Sequence, residues 1–153
     1  MERRVRTLIL GLVLVISVSF MAPFIVGAML PVEHVTTRTV LINKHPRFVW
    51  EALAEVEQDL EDVRVLVVEE EPPTRRVIKV AGRNLGFGGT WETTLVREGL
   101  QTRVTITERG EVHNPVFRFL FEYAFGYDVA IVAALTDLGR HLGQDVEISE
   151  PGD

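Results

Sequence analysis

The sequence contains no cysteine. That absence excludes a disulfide framework, a thiolate nucleophile, a cysteine-ligated metal and a lipid-acylated cysteine. It is neutral about redox compartment, because a thiol-free domain folds in oxidising and reducing surroundings alike. Serine is nearly as scarce. Ser17 and Ser19 lie in an apolar run and Ser149 near the C-terminus, so none is placed for a Ser-His-Asp arrangement. The four histidines, His34, His45, His113 and His141, show no HxH, HxxxH or HExxH spacing, and no metal site is expected. Gly86-Phe-Gly-Gly89 looks faintly like a phosphate loop but lacks the following helix and lysine, so strand curvature is its better explanation and no cofactor is expected.

Charge is missing from one long stretch. Residues 7–30 carry no Asp, Glu, Lys, Arg or His and are mostly Leu, Val, Ile, Ala and Phe. As a helix they span roughly 36 Å, enough to cross a hydrocarbon core of about 30 Å with some tilt. Pro23 and Gly27 fall in its second half, where a membrane helix tolerates them. Arg3, Arg4 and Arg6 precede the run, whereas Glu33 and His34 follow it and the next basic residue is Arg38. The positive-inside rule then puts residues 1–6 in the cytoplasm and the rest of the chain across the membrane. A cleaved signal peptide is the rival reading, since Val26-Gly27-Ala28 resembles a small-residue cleavage site. Signal cores run about 7–15 apolar residues, however, and this run is longer, so a single-pass anchor in the cell membrane is expected.

Basic charge is sparse in the remainder. Setting aside Glu2, Arg3, Arg4 and Arg6, the 16 basic and 22 acidic residues become 13 and 21, a net of −8. Nucleic acid is a poor partner for such a domain, because phosphate neutralisation needs clustered Lys and Arg. Anionic lipid headgroups would repel it too, which leaves membrane binding to the anchor.

Residues 31–33 are a very short linker, so the domain sits against the membrane rather than on a stalk. His34 to Asn43 is rich in Thr and Val and reads as a first strand. Pro46 suits a first helical position, and Phe48, Val49, Ala52, Leu53 and Val56 follow at helical spacing up to about Gln58. The acidic run Glu55, Glu57, Asp59, Glu61, Asp62 reads as a solvated face and loop. Four strand-like runs come next. Val63 to Val68 is stopped by Pro72-Pro73, and Arg76 to Ala81 alternates. Thr90 to Val96 follows the glycines at 88 and 89, which suit a sharp bend or a bulge. In Thr102 to Val112, residues Val104, Ile106, Glu108, Gly110 and Val112 share one face. Asn114 and Pro115 then cap and start a long C-terminal helix, which Gly126 interrupts and Gly143 ends. Residues 144–153 read as a loose acidic tail. The expected fold class is α+β, a curved antiparallel sheet of five strands gripping one long helix.

Four stretches of residues 34–143 together resemble the SRPBCC superfamily, also called START-like or polyketide cyclase/dehydrase-like. Arg47-Phe-Val-Trp50 looks like the motif opening its first helix, and Gly89-Thr-Trp-Glu92 like its GxW strand. Residues 102–111 resemble its penultimate core strand, and Asn114-Pro-Val-Phe-Arg-Phe119 the start of its long C-terminal helix. The resemblance implies a helix-grip fold with a hydrophobic cavity between sheet and helix. Family members hold lipids, sterols, hormones or polyketides there, and some catalyse cyclisation or dehydration. The chain departs from the common pattern in its five strands, where six or seven are usual, and in its anchor.

On that template the ligand-binding candidates are Trp91, Val104, Ile106 and Glu108 from the sheet and Phe117, Phe121, Ala124 and Phe125 from the helix. Trp50 and Trp91 read as core residues. Glu108 is the one candidate acid or base: a carboxyl group in apolar surroundings has a raised pKa and can donate a proton or anchor a polar ligand group. Its bland alternative is a strand-end residue that bends to solvent or pairs with Arg83 or Arg109. His113, beside the helix N-terminus, reads as an anion contact or an exposed loop residue. Three functions stay open: a binding protein for a small hydrophobic molecule, a cyclase or dehydratase using the same cavity, and a protein-interaction domain whose core is filled by its own side chains.

Overall fold

The computed structural model describes residues 2–58, 63–82 and 87–151. Asp59, Glu61, Asp62, Arg83 and Gly86, named above, lie outside the described residues.

Helix α1 (Glu2–Met29) contains the apolar run, and its stretch Leu8–Met29 is long and apolar enough to cross a membrane. Strand β1 (Glu33–Ile42) follows at once and leads into α2 (Pro46–Gln58). Strands β2 (Val63–Glu71), β3 (Arg75–Gly82), β4 (Phe87–Glu98) and β5 (Gln101–Val112) then form an antiparallel meander. The C-terminal third holds α3 (Pro115–Leu120), a π-helical turn over Phe121–Phe125, α4 (Val129–His141) and a short β6 (Ile148–Ser149). The sheet order is β2-β3-β4-β5-β1-β6, so the chain's first strand closes onto its last long one.

Alternation decides which face is buried. Along β5, Thr102, Val104, Ile106, Gly110 and Val112 are buried while their neighbours are not, as the period-two pattern requires. Ile42, Val40, Ile78, Val80, Trp91 and Leu95 complete the sheet's inner face, and Val49, Leu53, Ile131, Leu135 and Leu138 cover it from α2 and α4. Each such aliphatic side chain contributes about 1.5–3 kcal/mol by leaving water. Asn114 caps α3 through a 2.9 Å bond from Val116 N to its Oδ1, with Pro115 in the first turn.

Four expectations need correction. The sheet has six strands, not five, because residues 148–149 of the expected loose tail pair with Thr39 and Val40 of β1. Arg38 holds that tail from below through Glu150 at 3.1 Å. The long C-terminal helix is two helices, with a 56° bend at a break where Gly126 takes φ 81°. The glycines at 88 and 89 carry no bulge: β4 keeps register with both neighbours through them, and the irregularity lies in β2 between Val67 and Glu69. Finally, Glu57 is not part of a solvated face. It is 4% exposed, and its carboxylate accepts a 2.8 Å bond from Arg76, itself buried on the inner face of β3.

Candidate functional site

The β1–β5 register sets His34 opposite Gly110 and Thr36 opposite Glu108, and β4 adds Gly89 and Trp91 on the other side. Two rows therefore cross the inner face at this end of the sheet. One is Trp91–Glu108–Thr36; the other, Gly89–Gly110–His34, has side chain only at its edge. The missing side chains leave space. A Cβ on Gly110 would stand 2.3 Å from His34 Cε1, so the imidazole occupies the room that glycine vacates. Above this floor the break between the π turn and α4 supplies the roof.

The result is a cavity of about 150 Å³ lined by His34, Glu108, Val112, Phe121, Tyr127 and Ala130, with Gly88, Glu111 and Val129 around them. Its walls are mostly apolar. His34 stacks on Tyr127 with ring centroids 4.4 Å apart, and Phe121 lies 5.9 Å from the same ring. Arg38 fixes the roof from the strand below, donating to the Asp128 carboxylate at 2.8 and 2.9 Å at the start of α4. Two wider surface depressions, one near Arg140 and Gln144 and one between Phe48 and His141, are open and edged by exposed charges.

Electrostatics single out Glu108. Burial pushes its carboxyl up to about 7, with the neighbouring Trp91 indole pulling weakly the other way. Burial also lowers His34, so this imidazole favours its neutral form. His34 Nε2 and Glu108 Oε1 are 3.9 Å apart, too far for a hydrogen bond and close enough for one polar atom to bridge. Among the described residues the buried His34 Nδ1 and Glu108 Oε2 complete no hydrogen bond, and the Trp91 indole N–H, turned toward the Glu108 carboxyl, does not complete one of full geometry. Leaving such groups unfilled costs about 1–3 kcal/mol each, which a ligand's polar group can recover. Near neutral pH the Glu108–His34 pair has a donor (the carboxylic acid) and an acceptor (the imidazole) side by side, an arrangement suited to gripping a hydroxyl or carbonyl or to moving a proton.

The sequence-based candidates fall into three groups. Glu108 and Phe121 line the cavity. Trp91, Val104 and Ile106 are buried in the core cluster and are not among the lining residues. Phe117 is half-buried, while Ala124 and Phe125 face outward, Phe125 being 61% exposed. Arg109 is exposed and His113 is a surface residue beside Glu111. Sequence reasoning missed His34, Val129 and Ala130. A signal for His34 existed: His34, Thr36, Arg38, Val40 and Ile42 alternate onto the face that β1 buries. No group of three or more metal-ligating side chains occurs among the described residues.

No protein-family model matches this sequence, and no curated protein matches it. Solved structures do resemble it. A conserved protein from Geobacillus kaustophilus aligns with a TM-score of 0.57 at 14% identity, over 76% of this chain and 100% of its own. CalU16 from Micromonospora echinospora aligns with a TM-score of 0.53 at 17% identity, over 72% of this chain and 77% of its own. A protein from Arthrobacter aurescens gives 0.54 at 11%, over 71% and 85%. At such identities the likeness is one of fold. The chain is an α+β helix-grip domain, the architecture that the SRPBCC resemblance implies, preceded by one apolar helix.

Proposed function

We propose that this chain is a membrane-tethered binding module that holds a small, mostly apolar molecule, or one end of a larger one, between its sheet and its C-terminal helices. The observation that carries the reading is an apolar cavity with Glu108 and His34 in its wall, each holding a buried polar atom that completes no hydrogen bond among the described residues. A volume of about 150 Å³ is below the roughly 300–1,000 Å³ of sites for drug-sized ligands. A ring or a short chain segment bearing one hydroxyl or carbonyl therefore fits it better than a whole lipid or polyketide. Helix α1 supplies the tether, with Arg3, Arg4 and Arg6 favouring a cytoplasmic N-terminus and an extracytoplasmic domain.

Native mass spectrometry of the full chain, released from detergent micelles after incubation with total membrane extract, tests this reading. A stoichiometric adduct is expected on the wild type and not on Ala130→Trp, which fills the cavity mouth. A well-folded wild type with no adduct would count against it.

The near-neutral Glu108 beside His34 favours a second reading, acid–base catalysis of the cyclase or dehydratase kind on the same ligand. Glu108→Gln separates the two, because the amide keeps the shape and loses the proton. Retained binding with abolished turnover of the identified ligand marks an enzyme. Retained ligand chemistry in both proteins rules that reading out.

A further inference from the structure

Helix α1 is more than a leash. Pro23, Val26 and Gly27, with Leu30 just beyond, are withdrawn from solvent while the residues between them are exposed, which defines one face of its last turns. Helix α3 packs there. The approach is close enough that a Cβ on Gly27 would lie 1.8 Å from Pro115 O and 3.3 Å from Phe119 N. Arg118, 6% exposed, seals the contact by donating from Nε to the Gly27 carbonyl at 2.8 Å, an acceptor at the helix end whose backbone bond, from Leu30 N, is a longer 3.3 Å. At 1.5 Å per residue, Pro23 lies about 9 Å before Met29. The element held against α1 therefore runs beside the last stretch of the apolar span, at the depth of a bilayer's polar boundary.

What α3 and the π turn present at that level is aromatic. Phe119, next to Gly27, packs on Tyr123 with ring centroids 5.0 Å apart, and Phe121 meets Phe125 edge-on at 6.4 Å. Tyr123 is 63% exposed and Phe125 61%. Tyrosine at a span's end favours the lipid–water boundary, where ring and hydroxyl find different surroundings, and phenylalanine on an interfacial helix buries its ring at the acyl edge of that boundary. Phe121 also lines the cavity, so the exposed rings and the cavity wall are continuous.

We propose that α3 and the π turn bed into the bilayer interface as a second membrane contact, with Tyr123 and Phe125 among the headgroups and the cavity mouth opening at that level. The proposal rests on the membrane-tethered reading and adds to it a fixed orientation of the domain. The acidic domain gains nothing from anionic lipid, so a zwitterionic bilayer suffices.

The absence of cysteine makes the test direct. Single variants Tyr123→Cys, Phe125→Cys, Leu100→Cys and Leu12→Cys of the full chain are labelled with a small environment-sensitive fluorophore and reconstituted into phosphatidylcholine nanodiscs without added ligand. Leu100, 89% exposed at the far β4–β5 turn, is the aqueous reference, and Leu12, in the N-terminal part of the apolar span, the lipid reference. Labels at 123 and 125 are expected to be quenched by nitroxide lipids and to show iodide quenching about fivefold weaker than the label at 100. Iodide quenching equal to that at 100 overturns the proposal. So does protection from iodide without lipid quenching, which would mean that a second copy or another protein covers the patch. If the Leu12 label also escapes lipid quenching, the tether itself fails, and the proposal with it. An absent ligand adduct leaves these depths unchanged, so the two readings fail separately.

Discussion

Glu57 and Glu108 are both buried beneath helices on the inner side of one sheet, and burial raises both carboxyl groups to about 7. Their surroundings differ in kind. Glu57 lies 2.8 Å from the Arg76 guanidinium, which also binds Glu70 from β2 and sits 5.0 Å from the centre of the Trp50 ring. Around Glu108 the nearest basic partner among the described residues is His34 at 3.9 Å, which burial itself holds toward neutrality. One carboxyl group is knitted into a charge network that ties α2 to β2 and β3. The other opens on a cavity with an oxygen unsatisfied. A raised pKa alone does not separate a structural carboxylate from a functional one; the presence or absence of a cation does.

That contrast can be broken hardest at Arg76. Arg76→Met leaves Glu57 and Glu70 without their cation. It is expected to lower stability by about 3–5 kcal/mol at pH 8 in chemical denaturation of the full chain in detergent, and by less at pH 5, where Glu57 is protonated. Glu108→Gln should act in the opposite sense. A carboxyl group whose folded pKa is raised from 4.5 to about 7 contributes stability that is complete below pH 4.5 and is lost as pH rises through 7. The neutral amide escapes that loss. The variant should therefore be more stable than wild type by about 1–3 kcal/mol at pH 8, with no gain at pH 4. An unchanged pH profile would mean that Glu108 is solvated. The smallest effect belongs to His34, whose folded pKa is lowered, so that its burial costs stability as pH falls through 6.5. His34→Phe should recover less than about 1 kcal/mol at pH 5 and nothing at pH 8. A recovery at pH 8 would show instead that packing against Tyr127 is what the substitution changed.

The unequal legibility of the two carboxylates has a physical source. Glu108 could be placed from sequence because strand alternation is strictly local: with Val104 and Ile106 inward, residue 108 follows. Equally local signals gave the helix start at Pro46, the cap at Asn114 and the polarity of β5. Glu57 could not be placed, because its neighbours are acidic and its partner Arg76 comes 19 residues later on another element. A charge on a helix reads as solvated until a cation appears beneath it. His34 was lost for a related reason, since its closeness to Glu108 depends on a β1–β5 register joining strands far apart in sequence. Strand β6 is two residues long, too short for any periodicity, and is held in part by the Arg38–Glu150 ion pair. The π turn kept a helical pattern in sequence, and only the φ of Gly126 breaks it.

The bond between Arg118 and the Gly27 carbonyl joins residues 91 positions apart, and every long strand of the sheet lies between them. The domain is therefore a closed loop, knotted at its base by one guanidinium, rather than a bead at the end of a thread. A chain made from its N-terminus forms the apolar helix early and must make almost all of the sheet before the residue that closes the loop exists. On the membrane-tethered reading, the domain's facing toward the bilayer is thus the last property acquired during synthesis. A chain stopped short of α3 would have its anchor and its five long strands and still be free to swivel.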